Sequence, residues 1–274
     1  MQERIDLEAY FERIGFRGAP TPSLETLQAL HALHPAAIAF EGLSPFLGEP
    51  VSLAPRALEE KLVRRGRGGY CFEQNVLFWR VLEALGFRVR GLGGRVRLNW
   101  PEHVITPRGH MLLAVELSEG LHIADVGFGG LTLTAALRLE PGVEQATPHE
   151  PARIVRAGAG FAVQASIGAD WRTLYTFDLQ DTFLEDYEVW NWYYAAHPRS
   201  PFVEGPILAR PEHGRRHALR HARYTVHVLG GASEARRLAS VEELCRVLEQ
   251  AFHVPLPAGG EFERRARELL ARAT

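Results

Sequence analysis

Arg67-Gly68-Gly69-Tyr70-Cys71-Phe72-Glu73-Gln74-Asn75 is the stretch on which the reading of this chain turns. One of only two cysteines in 274 residues stands there, between a glycine pair and an amphipathic run. From Phe72 onward, apolar residues fall at Phe72, Val76, Trp79, Leu82 and Leu85, a spacing that predicts a helix, and Gly86 follows as its C-terminal stop. Cys71 therefore falls at a helix N-terminus. Free backbone N–H groups and the helix dipole favour an anion at that place, which is where a cysteine is made reactive as its thiolate.

A thiolate nucleophile needs a base, and the base needs a group to orient it. His110 opens the apolar run Met111 to Leu117, which reads as a largely buried strand. Ser118-Glu119-Gly120 is a turn signal, and Leu121 to Val126 alternates as the returning strand. A hairpin centred near Glu119 brings Asp125 within about two or three residues of the position facing His110. In a set of Cys71, His110 and Asp125, the imidazole would take the thiol proton, and the carboxylate would hold the ring tautomer and stabilise the imidazolium.

Composition narrows the classes. With 46% apolar residues, the chain can bury a substantial core and divide into two or three units. A formal charge of -2 gives no electrostatic case for a nucleic-acid or membrane partner, and no apolar run approaches a membrane span. Met1-Gln2-Glu3-Arg4 leads into an amphipathic helix instead of an apolar signal core. A catalytic Cys71 must stay free, so with Cys245 as the only other cysteine no disulfide framework is expected and the cytoplasm is the simplest location. Cys245, beside Leu244 in the helical run Val241 to Phe252, reads as a packing residue. Helical stretches are also expected at Leu24 to His34 and Pro55 to Arg65. Strands are expected around Val89, Val96 and Leu98, at Arg153 to Val163 and at Tyr224 to Leu229.

The nonapeptide at Cys71, the His110 strand and Asp125-Val126-Gly127-Phe128-Gly129-Gly130 together closely resemble the arylamine N-acetyltransferase family. The resemblance extends to Tyr10-Phe11-Glu12-Arg13-Ile14-Gly15, Phe40-Glu41, Asn191-Trp192-Tyr193, His197-Pro198 and Phe202, and to the late segment Ala239 to Leu248. It implies an α+β fold in three parts: a helical domain carrying the nucleophile (1–87), a β-barrel-like domain carrying the histidine and aspartate (88–195), and an α/β lid (196–274). It implies acetyl-coenzyme A as donor, a small aromatic amine or hydrazine as acceptor, an acetyl-cysteine intermediate, no metal and a place in xenobiotic metabolism. By the same resemblance Phe40, Phe128 and Phe202 form an aromatic acceptor pocket. Gly129, Gly130, Tyr193 and Ser200 would lie near the coenzyme, and Glu41 and Arg67 would form a supporting ion pair.

The chain departs from the family pattern at Gly42, Gly109, Ala195 and Ala196, where polar side chains are usual. The triad remains, but hydrogen-bonding capacity around the ligand cleft is reduced. Other readings stay open: a related amide synthase joining an aryl amine to a carrier-bound acyl chain, a catalytically silent ligand-binding relative, and, on the triad alone, a cysteine peptidase. His217 and His221 in the tract His213 to Arg223 have metal-like spacing, but no acidic ligand lies between them and Arg215, Arg216 and Arg220 would repel a cation. The tract is expected to be a solvated, charged surface loop. Its guanidinium groups could otherwise steer an anionic donor.

Overall fold

A computed structural model describes residues 5–272; Met1–Arg4, whose charged character bears on the start of the chain, lie outside the described residues. The first part is helical, with Leu7–Ile14, Leu24–Ala37 and Cys71–Ala84 as its main elements. Local chemistry sets their ends. The Asp6 and Ser23 side chains each accept the N–H three residues on, capping the first two helices. Gly15, in the left-handed conformation, closes the first. The stretch expected as one helix from Pro55 to Arg65 starts as Pro55–Leu58 and widens into a π-helical turn, Glu59–Arg64. In the helix Cys71–Ala84, the apolar stripe read from sequence is only part of the buried surface: every side chain from Cys71 to Phe78 is buried.

The remaining chain forms two antiparallel sheets around separate cores. Eight strands curl into a nearly closed, barrel-like sheet in the order Leu137–Arg138, Gly120–Ala124, His110–Leu117, Arg88–Val96, Asp170–Asp181, Gly160–Ile167, Ala152–Ala157, Glu144–Gln145. The expected hairpin is there, with Leu117 opposite Gly120 and Leu113 opposite Ala124. Asp125 therefore follows directly on the strand that runs back toward His110. The mixed helix and sheet composition is the α+β class expected.

The second sheet has five strands: Phe40–Glu41, Ile207–Glu212, Arg215–Arg220, Arg223–Val228 and Ser233–Arg237. Its first strand comes from the helical part of the chain, with Phe40 opposite Ala209. Helices Val241–Phe252 and Glu261–Arg272 pack on it through Leu244, Leu248, Phe252 and Phe262. Among the described residues no helix is long and apolar enough to cross a membrane.

This sheet corrects one expectation. The tract His213 to Arg223 is not a solvated loop but a strand between two tight turns, and Arg216 and His217 are buried in it. The charge that suggested solvent is neutralised by distant partners. Arg216 donates to both carboxylate oxygens of Glu150 at 2.6–3.1 Å and to the Thr132 carbonyl at 2.9 Å. His217 bonds Glu212 at 2.6 Å and the Tyr224 hydroxyl at 2.7 Å. A strand also carries residues four apart well away from each other, so His217 and His221 do not converge as they would on a helix. Among the described residues no cluster of His, Cys, Asp or Glu is arranged to hold a metal.

Arg216 thus ties the second sheet to the barrel through a pair whose side chains are only 5% and 14% exposed. Removing the cation leaves a desolvated Glu150 without compensation, a loss of about 3–5 kcal/mol. Arg216→Met is expected to lower the unfolding free energy by that amount in urea titration, whereas the exposed Arg264→Met should leave the urea midpoint nearly unchanged.

Candidate active site

Cys71 is the first residue of its helix and is 7% exposed. What precedes and follows it fixes that end. The Glu73 carboxylate accepts the Tyr70 N–H at 3.2 Å with one oxygen and holds Lys61, the only lysine in the chain, at 2.7 Å with the other. Gln74 anchors the first turn to the helical layer. Its amide donates to the Ala39, Gly69 and Ile38 carbonyls at 2.8, 3.1 and 3.2 Å, and its oxygen accepts from His34 Nε2 at 2.7 Å. Burial lowers the His34 pKa to about 3, so this ring is neutral, and its Nδ1 accepts the Tyr10 hydroxyl at 2.8 Å.

His110, the first residue of its strand, meets Asp125 through Nε2···Oδ2 at 2.7 Å, with the two side chains 3% and 0% exposed. The other carboxylate oxygen accepts Asn75 Nδ2 at 3.0 Å and the Gly127 N–H at 2.9 Å. The Asn75 oxygen in turn accepts the Val126 N–H at 3.1 Å, and its amide also reaches the Met111 carbonyl at 2.8 Å. One buried amide therefore joins the Cys71 helix to both strands of the hairpin. From the opposite side, His31 Nε2 accepts the Asp125 N–H at 3.0 Å; burial lowers the His31 pKa to about 4, keeping the ring a neutral acceptor.

Burial alone would depress the His110 pKa, but the Asp125 carboxylate, then a hydrogen bond with the Cys71 thiol, push it up to about 10. The Asp125 pKa is lowered despite burial, because His110, Asn75 and the Gly127 N–H all favour the carboxylate. At neutral pH the arrangement supports an imidazolium paired with the Asp125 carboxylate.

Gly127 permits this approach. A Cβ there would come within 2.9 Å of both the Cys71 Cα and Asn75 Nδ2. The aromatic residues named from sequence fall on two sides. Phe128 lies edge-on to the His110 ring at 5.3 Å, while Phe40 and Phe202 lie 6.0 Å apart, with Tyr70 5.1 Å from Phe202. Glu41, fully buried, pairs with Arg67 at 2.7–2.8 Å and accepts the Leu43 N–H at 2.7 Å.

The residues named for the coenzyme divide. Gly130 is exposed and Tyr193 half-buried, its ring stacked on His197 at 4.6 Å. The Gly129 N–H is not a free donor, since it is spent on Thr132 Oγ1 at 2.7 Å. Ser200 differs further from expectation. It is fully buried, and its hydroxyl donates to the Tyr194 carbonyl at 2.6 Å and accepts the Phe202 N–H at 3.3 Å, so it braces the aromatic wall. Cys245 is a free, half-buried helix residue, as read from sequence.

Several site residues went unread. Asn75 and His31 carry no sequence signal apart from polar residues in helices that must be buried. Tyr175 packs against His110 at 4.8 Å and Phe128 at 5.3 Å, and burial, then the Asp125 carboxylate, hold its phenol pKa well above the ordinary value. Arg216 grips the 127–132 turn from the second sheet through the Thr132 carbonyl.

Comparison with known proteins assigns the class. A family model described as N-acetyltransferase matches residues 23–260. The chain is 44% identical over 275 aligned positions to an arylamine N-acetyltransferase of Mycobacterium tuberculosis, covering 98% of this chain and 97% of that protein. It is 40% identical over 248 positions to the arylamine N-acetyltransferase / N-hydroxyarylamine O-acetyltransferase of Salmonella typhimurium, covering 90% and 88%. The solved structure of Mycobacterium marinum arylamine N-acetyltransferase in complex with CoA superposes with a TM-score of 0.92 at 38% identity, covering 96% of this chain and 99% of that one. The fold is thus that of an acetyltransferase with a cysteine-protease-like architecture. The chain belongs to the arylamine N-acetyltransferase family, the family its motifs resemble.

The electrostatics of the pair set a pH window. His110, raised from 6.5, contributes stability that is complete below about pH 6.5 and is lost as pH rises through about 10. Asp125, lowered from 3.8, contributes stability that is present above that value and is lost as pH falls below it. The unfolding free-energy difference between wild type and Asp125→Asn should therefore peak between about pH 4 and 6.5, at about 3–5 kcal/mol, and shrink toward pH 10. Urea titrations across that range check it; a difference that grows toward pH 10 contradicts the ion pair.

Proposed function

We propose that this protein transfers an acetyl group from acetyl-coenzyme A to an arylamine or arylhydrazine through an acetyl-Cys71 intermediate. The observation that carries the reading is the buried 2.7 Å His110–Asp125 pair, with Cys71, the first residue of its helix, among the groups that raise the imidazole. Cys71 attacks the thioester carbonyl carbon as the thiolate. The backbone N–H groups of the first helical turn, which have no intrahelical acceptors, stabilise the developing oxyanion. His110 gives its proton to the departing coenzyme sulfur as the old C–S bond breaks. One thioester replaces another at little cost, so the acetyl-enzyme persists.

In the second half, the acceptor nitrogen attacks the acetyl carbon and neutral His110 takes its proton. The tetrahedral species collapses to the amide, releasing Cys71 as thiolate and restoring the ion pair. Phe40, Phe128 and Phe202 supply apolar contact for an aromatic acceptor, which is unprotonated at neutral pH because aryl amines are weak bases. The exposed Gly130 and half-buried Tyr193 stay in the reading as coenzyme contacts, while Gly129, Ser200, Glu41 and Arg67 hold the site's shape. The names of the relatives support the acceptor class, and the coenzyme-bound structure supports the donor. A cytoplasmic location fits a nucleophile that must remain a reduced thiol.

Intact-protein mass spectrometry after mixing with acetyl-coenzyme A tests the first half. One acetyl group per chain is expected, lost on adding an arylamine, and Cys71→Ser should abolish both events and reduce turnover by at least about a thousandfold. Donor-independent amide synthesis from a carrier-bound acyl chain is indicated instead if Cys71 labels with iodoacetamide yet is never acetylated.

A further inference from the structure

The triad is almost sealed: Cys71, His110 and Asp125 are 7%, 2% and 0% exposed, so any acyl donor must pass the aromatic groups around the thiol. One of these has no role in the chemistry above. Tyr194, on helix Leu184–Ala196, places its ring 6.1 Å from Phe202 and 6.0 Å from Phe72, the residue after the nucleophile. Its tip rests on Gly109, the residue before His110. A Cβ on Gly109 would lie 2.5 Å from the ring's Cε2 and 2.8 Å from Cζ. Gly42 is covered the same way, by Phe202 Cδ1 at 2.6 Å from its Cβ position. Two positions where polar side chains were expected are therefore glycines whose space is filled by aromatic rings from one segment.

We propose that Tyr194 determines acyl-donor specificity: its ring occupies the space over Gly109, between Phe202 and the start of the His110 strand, and limits the size of acyl group that reaches Cys71. The inference rests on the acetyl-transfer reading of the same site. The backbone at Tyr194 is fixed, because its carbonyl accepts the buried Ser200 hydroxyl at 2.6 Å. The ring is held by packing against Phe72, Tyr193 and Phe202 and not by a hydrogen bond, since its hydroxyl has no hydrogen-bond partner among the described residues. A ring pivoting on a fixed backbone can admit a slim thioester and still obstruct a longer chain. Burial, then the charge of Cys71, push the phenol up to about 12, consistent with a neutral group close to the sulfur.

The test measures kcat/KM for acetyl-, propionyl- and butyryl-coenzyme A with one arylamine. In parallel it measures alkylation rates of Cys71 by iodoacetamide and by a bulky N-arylmaleimide. Tyr194→Ala should raise the butyryl-to-acetyl ratio at least about tenfold, the scale on which a pocket discriminates methylene groups, and raise the maleimide-to-iodoacetamide ratio similarly. Tyr194→Phe keeps the ring and should keep both ratios, which separates steric obstruction from a hydrogen-bonding role. Adding Gly109→Ser to Tyr194→Ala refills the space and should bring the ratios back toward wild type. Tyr194→Met, which removes the ring but keeps more apolar volume, provides partial clearance if the alanine variant folds poorly. Unchanged ratios in the alanine and methionine variants overturn the inference. Failure of acetyl-coenzyme A to acetylate the wild type overturns the transfer reading instead, and the alkylation ratios still decide whether Tyr194 obstructs the thiol.

Discussion

The buried His110–Asp125 contact is the constraint on which the rest of the structure depends. A carboxylate taken out of water is tolerable only when each of its lone pairs finds a donor, and breaking such a pair costs more than making it gains. Asp125 finds those donors in different parts of the chain. His110 comes from the neighbouring strand, Asn75 from the helical layer and the Gly127 N–H from the turn that follows. His31, on another helix, fixes the backbone of Asp125 itself. Satisfying one carboxylate therefore sets the position of the helical layer against the barrel, and the position of Cys71 follows, since Asn75 lies one turn along the same helix.

That dependence explains why polar groups are concentrated where the chain is most buried. Glu73, Gln74 and Asn75 follow the cysteine in succession, and each is used up in a different direction: Glu73 toward Tyr70 and Lys61, Gln74 toward His34 and three carbonyls, Asn75 toward the hairpin. A helix start surrounded by protein cannot leave its N–H groups and neighbouring carbonyls to solvent. The same residues that solve this problem also aim the thiol. Stability and reactivity are thus set by one group of contacts, and a substitution there affects both.

Legibility in the sequence followed the range of the interactions. The nucleophile helix could be read because apolar spacing and a terminal glycine act within a few turns, and the hairpin because a turn signal fixes register between adjacent strands. Asp125 could be placed near His110 for the same reason. The tract at 213–223 misled because its charges are neutralised by Glu150 and Glu212, and only the first of these is far away: Glu150 precedes Arg216 by more than a whole unit of the fold. Asn75 was in plain view but looked like any polar helix residue, since nothing local says that this helix is buried on all sides at its start. Ser200 and Gly129 were placed near the coenzyme by resemblance, which says nothing of the internal hydrogen bonds that the fold gives them.

The closure of the site bears on the order of events. A thiol that is 7% exposed, approached past aromatic rings, offers room for one reacting group at a time. Low exposure strengthens the His110–Asp125 attraction beside the sulfur and keeps water out of the site. It also prevents a bulky coenzyme and an aryl amine from meeting over the sulfur together. Under the proposed function, storing the acetyl group on Cys71 resolves that conflict, because the donor can leave by the entrance that the acceptor then uses. The turn that carries Phe128 is held from the far sheet by Arg216, and Phe202 from within its own segment by Ser200, so the two sides of the entrance are braced independently. The enclosure around Cys71 thus favours, on the proposed reading, transfer in two separate steps.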